Sequence, residues 1–108
     1  MEQRKYRRFT DNSLVKFSSE HVSGEGRLEN LSFGGAAIIS DVAIAPGEYL
    51  SLTITPPTQA GIIEIELAPV RWVKEGSFGV EFIRVAQTSQ QRLKQYLDTL
   101  QDLASSAA

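Results

Sequence analysis

Tyr49-Leu50-Ser51-Leu52-Thr53-Ile54-Thr55 decides the fold class, because its alternation is unbroken. Leu50, Leu52 and Ile54 face one way and Ser51, Thr53 and Thr55 the other, the two-residue period of a half-buried strand. Just before it, Ala45-Pro46-Gly47-Glu48 reads as a turn, since proline presets φ and glycine accepts the positive φ of a type II turn. Just after it, Pro56-Pro57-Thr58-Gln59-Ala60-Gly61 reads as a loop. A long strand follows over 62–73, with Ile63, Ile65 and Leu67 inward and Glu64 and Glu66 outward. Pro69 has no N–H for a ladder, so an edge, bulge or bend is expected there. Lys74-Glu75-Gly76-Ser77 closes a hairpin, and Phe78, Val80 and Phe82 line the returning strand.

Towards the N-terminus the same period recurs. Val15 and Phe17 alternate with Lys16 and Ser18 in a short strand over 14–19. His21-Val22-Ser23-Gly24 reads as a turn, and 25–31 as a strand with Glu25, Arg27 and Glu29 on one face and Gly26 and Leu28 on the other. The segment Asn30-Leu31-Ser32-Phe33-Gly34-Gly35 interrupts the pattern before a short apolar strand over 36–40. The period then changes near the C-terminus, where Leu93, Tyr96, Leu97, Leu100 and Leu103 form one helical stripe. Thr88 and Gln91 fit a capping box, which predicts a helix from about Ser89 to Ala104. Six strands with short connections and one terminal helix make an all-β chain that closes as an antiparallel barrel or curls strongly. The expected division is a single domain over 1–104, with a basic arm at 1–13, a barrel at 14–84 and a helix at 88–104. Residues 105–108 are expected to fray.

The chain has 108 residues, 42 % hydrophobic and 22 % charged, the balance of one globular domain with a modest core. It contains no cysteine, so disulfide and thiolate chemistry are excluded. No apolar run is long enough to span a bilayer, and none follows the N-terminal charges as a secretion signal requires. A cytoplasmic location is expected, either as a stand-alone chain or as a piece of a longer one.

Charge is unevenly placed. Arg4-Lys5-Tyr6-Arg7-Arg8 holds four of the eleven basic residues, and the rest carries seven Lys or Arg against thirteen Asp or Glu. A basic arm on an acidic body points to an anionic partner. Enzyme chemistry finds little support. His21 is the single histidine, and no metal-ligand spacing surrounds it, so it reads as a solvated turn residue. Ser32 lacks the preceding glycine of a nucleophile elbow. Gly24-Glu25-Gly26 lacks the third glycine and the helix of a dinucleotide-binding turn.

The arm and the Asn30–Gly35 segment together suggest a nucleotide clamp. Arginine pairs bidentately with phosphate or with guanine O6 and N7, and Arg4 and Arg8 are spaced to reach one ligand. Asn30 and Ser32, at i and i+2, share a strand face and offer donors and acceptors. Gly34-Gly35 permits positive φ and close backbone approach. Alone, the arm reads equally well as a solvated tail or a weak nucleic-acid or membrane contact, and Asn-x-Ser-x-Gly-Gly as only a turn.

In this order the two segments resemble the signature of the PilZ domain family, R-x-x-x-R followed by (D/N)-x-S-x-x-G. The resemblance extends over nearly the whole chain, including Phe78-Gly79-Val80-Glu81-Phe82 and the helix after it. It implies a six-stranded antiparallel β-barrel with a C-terminal α-helix, and a bacterial, non-enzymatic receptor for cyclic di-GMP. It implies that Arg4 and Arg8 contact guanine and phosphate, that Asn30 and Ser32 hydrogen-bond a guanine, and that Gly35 keeps the turn open beneath it. Arg7, outside the signature, is expected as an auxiliary phosphate contact. Trp72 or Arg71 could edge the site, although Trp72 reads first as a core or barrel-surface aromatic. The expected mechanism is an arm that has little to hold it when empty and orders over the ligand, signalling to a downstream protein or fused domain. The expected partners exclude nucleic-acid polymers and membrane insertion, and the expected state is a monomer or weak dimer. No metal or other cofactor is expected. The alternative is a PilZ-fold interaction module that binds no nucleotide.

Overall fold

The structure, a computed structural model, describes residues 8–58 and 61–106. Alternating apolar residues build eight strand segments: β1 (Phe9–Thr10), β2 (Leu14–Ser18), β3 (Ser23–Leu31), β4 (Gly35–Ile39), β5 (Tyr49–Thr55), β6 (Ile63–Lys74), β7 (Ser77–Glu81) and β8 (Arg84–Val85). The helix α1 covers Gln87–Ser106. All pairings are antiparallel, in the order β3-β2-β5-β6-β7-β4, and β4 pairs with β3 to close the barrel. The two short segments extend this ring. β1 pairs with β3 beyond the end of β2, and β8 pairs with β6 beyond the end of β7. Eight segments therefore make six barrel strands, two of them interrupted.

The interruptions are places where side chains or neighbouring loops take over backbone bonding. Between β1 and β2, the Asp11 carboxylate accepts bonds from the Ser13 backbone N–H at 3.2 Å and the Ser13 hydroxyl at 3.0 Å, an Asx-type turn. Between β7 and β8, the Phe82 N–H donates to the Gly34 carbonyl and the Ile83 N–H to Leu67, both at 2.9 Å.

The alternation expected from sequence is met where it was cleanest. Val15, Phe17, Leu28, Leu50, Leu52, Ile54, Ile63 and Ile65 are all buried. Phe17 meets Phe78 edge-on at 5.3 Å inside the barrel. Pro69 lies between two irregularities of β6, one where it faces Leu50 and Leu52 of β5 and one between Val70 and Trp72 against β7. The bend expected there is thus a pair of bulges, with the residue that cannot donate set between them. Gly47 holds φ +88° and the Glu48 N–H donates to the Ala45 carbonyl at 3.2 Å, as the turn before β5 requires.

Four expectations are corrected. The turn before β3 falls at 19–22, where the Ser19 N–H donates to Val22 at 2.7 Å, so Ser23 and Gly24 belong to the strand. The helix begins at Gln87, one residue before Thr88, with Gln90 N–H on the Ala86 carbonyl. Thr88 is therefore inside the first turn and does not cap it. The helix runs through Ser106, into the stretch expected to fray; 107–108 lie outside the described residues. Leu93, Tyr96 and Leu97 dock on the barrel, but Leu103 is 61 % exposed because the last turns pass beyond it.

Candidate functional site

β3 carries the first half of the site. An extra residue between Leu28 and Asn30 shifts its register against β4, so that Asn30 faces Ala37. The same residue pairs with Thr10 of β1 on its other side. Arg8, at the foot of β1, donates from Nη1 to Asn30 Oδ1 at 2.7 Å. The two sequence segments, twenty-two residues apart, are therefore in direct contact. With Oδ1 committed to Arg8, the Asn30 amide presents its N–H donors for other acceptors. Arg4 and Arg7 lie outside the described residues.

The turn after β3 is held by Ser32. Its hydroxyl accepts from the Gly34 and Gly35 N–H groups at 3.2 and 3.1 Å and donates to the Gly35 carbonyl at 3.2 Å. Ser32 is buried and lies one residue past the end of β3, so its hydroxyl faces the turn and not the strand face shared with Asn30. Neither Gly34 nor Gly35 takes the positive φ expected of them; among the described residues only Gly47, Gly61 and Gly76 do. Gly35 is required by closeness instead. A Cβ there would strike the Val80 carbonyl across the β4–β7 pair.

The outer wall beside Asn30 is built of small, buried residues. Asn30 pairs with Ala37, Ala37 with Gly79, and Gly79 with Trp72, a row of four strands roughly 14 Å wide. In the adjacent row Gly35 pairs with Glu81. Ala36, Ile38, Phe78 and Val80 point into the core, so the outward residues of β4 and β7 between the edges are Gly35, Ala37 and Gly79. No side chain larger than a methyl rises from that floor. The Trp72 indole packs against Gly79, where an added Cβ would run into its ring. Trp72 is 37 % exposed, and Lys74 Nζ sits 5.2 Å above the ring. Trp72 is thus the barrel-surface aromatic of the simpler expectation. Its position in the Asn30 row was not legible, because the register depends on the β3 and β6 bulges.

The arm is held more firmly at its root than the sequence implied. Asp11 accepts from the Tyr96 hydroxyl of α1 at 2.9 Å, and Ser13 Oγ lies 3.2 Å from the same hydroxyl. Asp11, Ser13 and Tyr96 are all buried, and burial pushes the Tyr96 hydroxyl up to about 12. From Phe9 onward the segment is therefore part of the barrel. A signal for this was present: a buried tyrosine in the helical stripe needs a polar partner, and Asp11-x-Ser13 could supply it.

His21 is exposed yet paired. Its Nδ1 lies 3.1 Å from Glu48 Oε2, and this bond raises its pKa and lowers that of Glu48. The pair borders a cleft of about 820 Å³ at the end of β3 away from Asn30. That cleft contains none of the signature residues. Among the described residues, no group of three His, Cys, Asp or Glu could hold a metal ion, and no helix is long and apolar enough to cross a membrane.

Comparison with known proteins gives the arrangement a context. No curated protein sequence matches the chain significantly. The inhibitor of motility MotI/DgrA from Bacillus subtilis is similar in structure, with a TM-score of 0.78, 26 % identity, and coverage of 94 % of this chain and 52 % of that one. YcgR from Escherichia coli, solved with c-di-GMP, has a TM-score of 0.82 at 18 % identity, covering 98 % of this chain and 49 % of that one. The chain thus spans about half the length of these two proteins. The isolated PilZ domain of YcgR with c-di-GMP has a TM-score of 0.69 at 17 % identity, with 98 % and 97 % coverage. The PilZ domain family model matches residues 2–99, and with the closed six-stranded barrel and its terminal helix, the chain belongs to the PilZ domain family.

Proposed function

We propose that this chain is a receptor domain for cyclic di-GMP, a binding module and not an enzyme. The observation that carries the proposal is the 2.7 Å bond from Arg8 to Asn30, which joins the arginine arm to the Asn-x-Ser loop at the edge of a barrel wall of small residues. Membership of the PilZ domain family and likeness to YcgR solved with c-di-GMP support it. Cyclic di-GMP offers two flat guanines and two phosphates. A guanine above Asn30 meets the amide donors of Asn30 and the guanidinium of Arg8, and Ser32 and Gly35 hold the loop beneath it. The second guanine reaches across the Ala37–Gly79 floor to the Trp72 face, where stacking is worth about 1–3 kcal/mol. Arg4 and Arg7, from the arm, supply phosphate and guanine contacts. Because Arg8 is bonded to Asn30 and the residues after it are pinned to β3, the part of the arm proposed to close over the ligand is the stretch before Arg8. Its closure is what a downstream protein or fused domain reads, since the ligand favours the closed arm.

Isothermal titration with cyclic di-GMP, GMP and an oligonucleotide tests this. Saturable binding is expected for cyclic di-GMP alone. A charge-assisted hydrogen bond is worth about 1.5–3 kcal/mol, so Arg8→Ala should weaken binding at least about tenfold. Unchanged affinity in a folded Arg8→Ala variant rejects the assignment.

A further inference from the structure

We infer that Arg71, held in place by Glu81, is a ligand-binding residue of this site, aimed at the N7/O6 edge of the guanine that lies on Trp72. The inference rests on the cyclic di-GMP reading above. Three independent features of the barrel converge on Arg71.

The first is placement. A regular strand would send Arg71 and Trp72 to opposite faces. The irregularity of β6 between Val70 and Trp72 breaks that alternation, and both side chains emerge exposed beside β7. The second is its partner. Arg71 donates from Nε and Nη2 to one oxygen, Glu81 Oε1, at 2.8 and 2.7 Å. Glu81 is the residue opposite Gly35, so the pair stands at the end of the signature loop. The third is the edge left over. The carboxylate takes the Nε side of the guanidinium. The Nη1 side has no other partner among the described residues, and the side chain is 56 % exposed. A guanidinium fixed along one edge offers two parallel N–H groups along the other, which matches guanine N7 and O6.

An exposed ion pair of this kind contributes little to folding, so stability gives no account of the pair. As a brace it has a function. Without Glu81 the long Arg71 side chain would sample many rotamers and lose entropy on binding. Glu81 acts here as a positioning residue; Arg71 makes the contact.

Titration of the full chain with cyclic di-GMP, and with its analogue carrying 7-deazaguanine, tests the inference. Arg71→Ala should weaken cyclic di-GMP binding about tenfold, with the unliganded melting temperature unchanged. Arg71→Lys keeps the charge but loses the fork, and should recover less than half of the loss on a logarithmic scale. Glu81→Ala should weaken binding several-fold, and Glu81→Gln, whose amide oxygen can still hold the guanidinium, should restore it. The 7-deaza analogue should bind the native chain more weakly, and the difference should shrink in Arg71→Ala. Failure of the native chain to bind cyclic di-GMP overturns the receptor assignment and this inference with it. Normal binding by the native chain with unaltered affinity in Arg71→Ala overturns this inference alone. Full recovery by Arg71→Lys, or an undiminished deaza effect in Arg71→Ala, also overturns it.

Discussion

At the scale of single residues, Tyr96 shows how much depends on one buried hydroxyl. Its donor bond to Asp11 satisfies a carboxylate served otherwise, among the described residues, by Ser13. Tyr96→Phe should cost about 1–3 kcal/mol in urea denaturation, the usual penalty for an unsatisfied buried partner. The pH response follows in sign. Burial raises the folded-state pKa from 10.0 to about 12, so the protonated phenol is favoured by folding. That stabilisation is complete below pH 10 and disappears as pH rises through about 12. Tyr96→Phe should flatten this alkaline limb, which denaturation midpoints at pH 9 to 12 would register. The residues of the proposed site stood out in the sequence only as an ordered pair of segments, since each segment alone reads as a solvated tail or a turn. Their tasks were less legible. Ser32 looked like a strand residue paired with Asn30, but β3 ends at Leu31 and the hydroxyl faces the turn.

Individual elements were readable where one face is simply buried. β5 has the bounds that its alternation implied. β6 was read as a single period, with Leu67 inward, whereas Leu67 is half-buried and Ala68 and Val70 take over the core face. A bulge moves every later side chain to the other face, and period counting cannot locate it. The shared surface of β6 and β7 yields a prediction. Gly79→Ala should lift the Trp72 indole off the wall. Trp72 is the one tryptophan, so its fluorescence should shift to the red, with a stability loss of about 1–3 kcal/mol. In α1 the stripe divides in two. Leu93→Ala removes a fully buried side chain and should cost about 2–5 kcal/mol. Leu103→Ser should fall within about 0.5 kcal/mol of the parent, since that residue is mostly exposed. Thermal and urea midpoints of the two variants would separate the docked turns from the overhanging ones.

For the molecule as a whole, a closed barrel was the natural outcome of six alternating strands with short links, because closure removes exposed edges. The two short extensions, β1 and β8, were hidden: two residues are too few to carry a period. β1 matters most, since it makes the root of the arm a barrel strand. A ligand that binds only the folded state stabilises by about 2.7 kcal/mol at a hundredfold excess over Kd. For a domain of this size the melting temperature should then rise by on the order of 10 °C with cyclic di-GMP. The rise should diminish with added salt if the proposed contact between an anionic ligand and the basic arm is made. An increase unaffected by ionic strength would point away from arginine contacts.

The bond between Asp11 and Tyr96 joins residues eighty-five apart in the chain. Contacts of such separation form slowly, after shorter loops have closed. We predict that the docking on α1 of the strand that presents Arg8 completes late in folding. The proposed binding of cyclic di-GMP, which needs that strand in place, is then expected to be absent from the transition state. In stopped-flow measurements cyclic di-GMP should slow unfolding and leave the refolding rate unchanged. The messenger would act as a kinetic lock on a barrel already made.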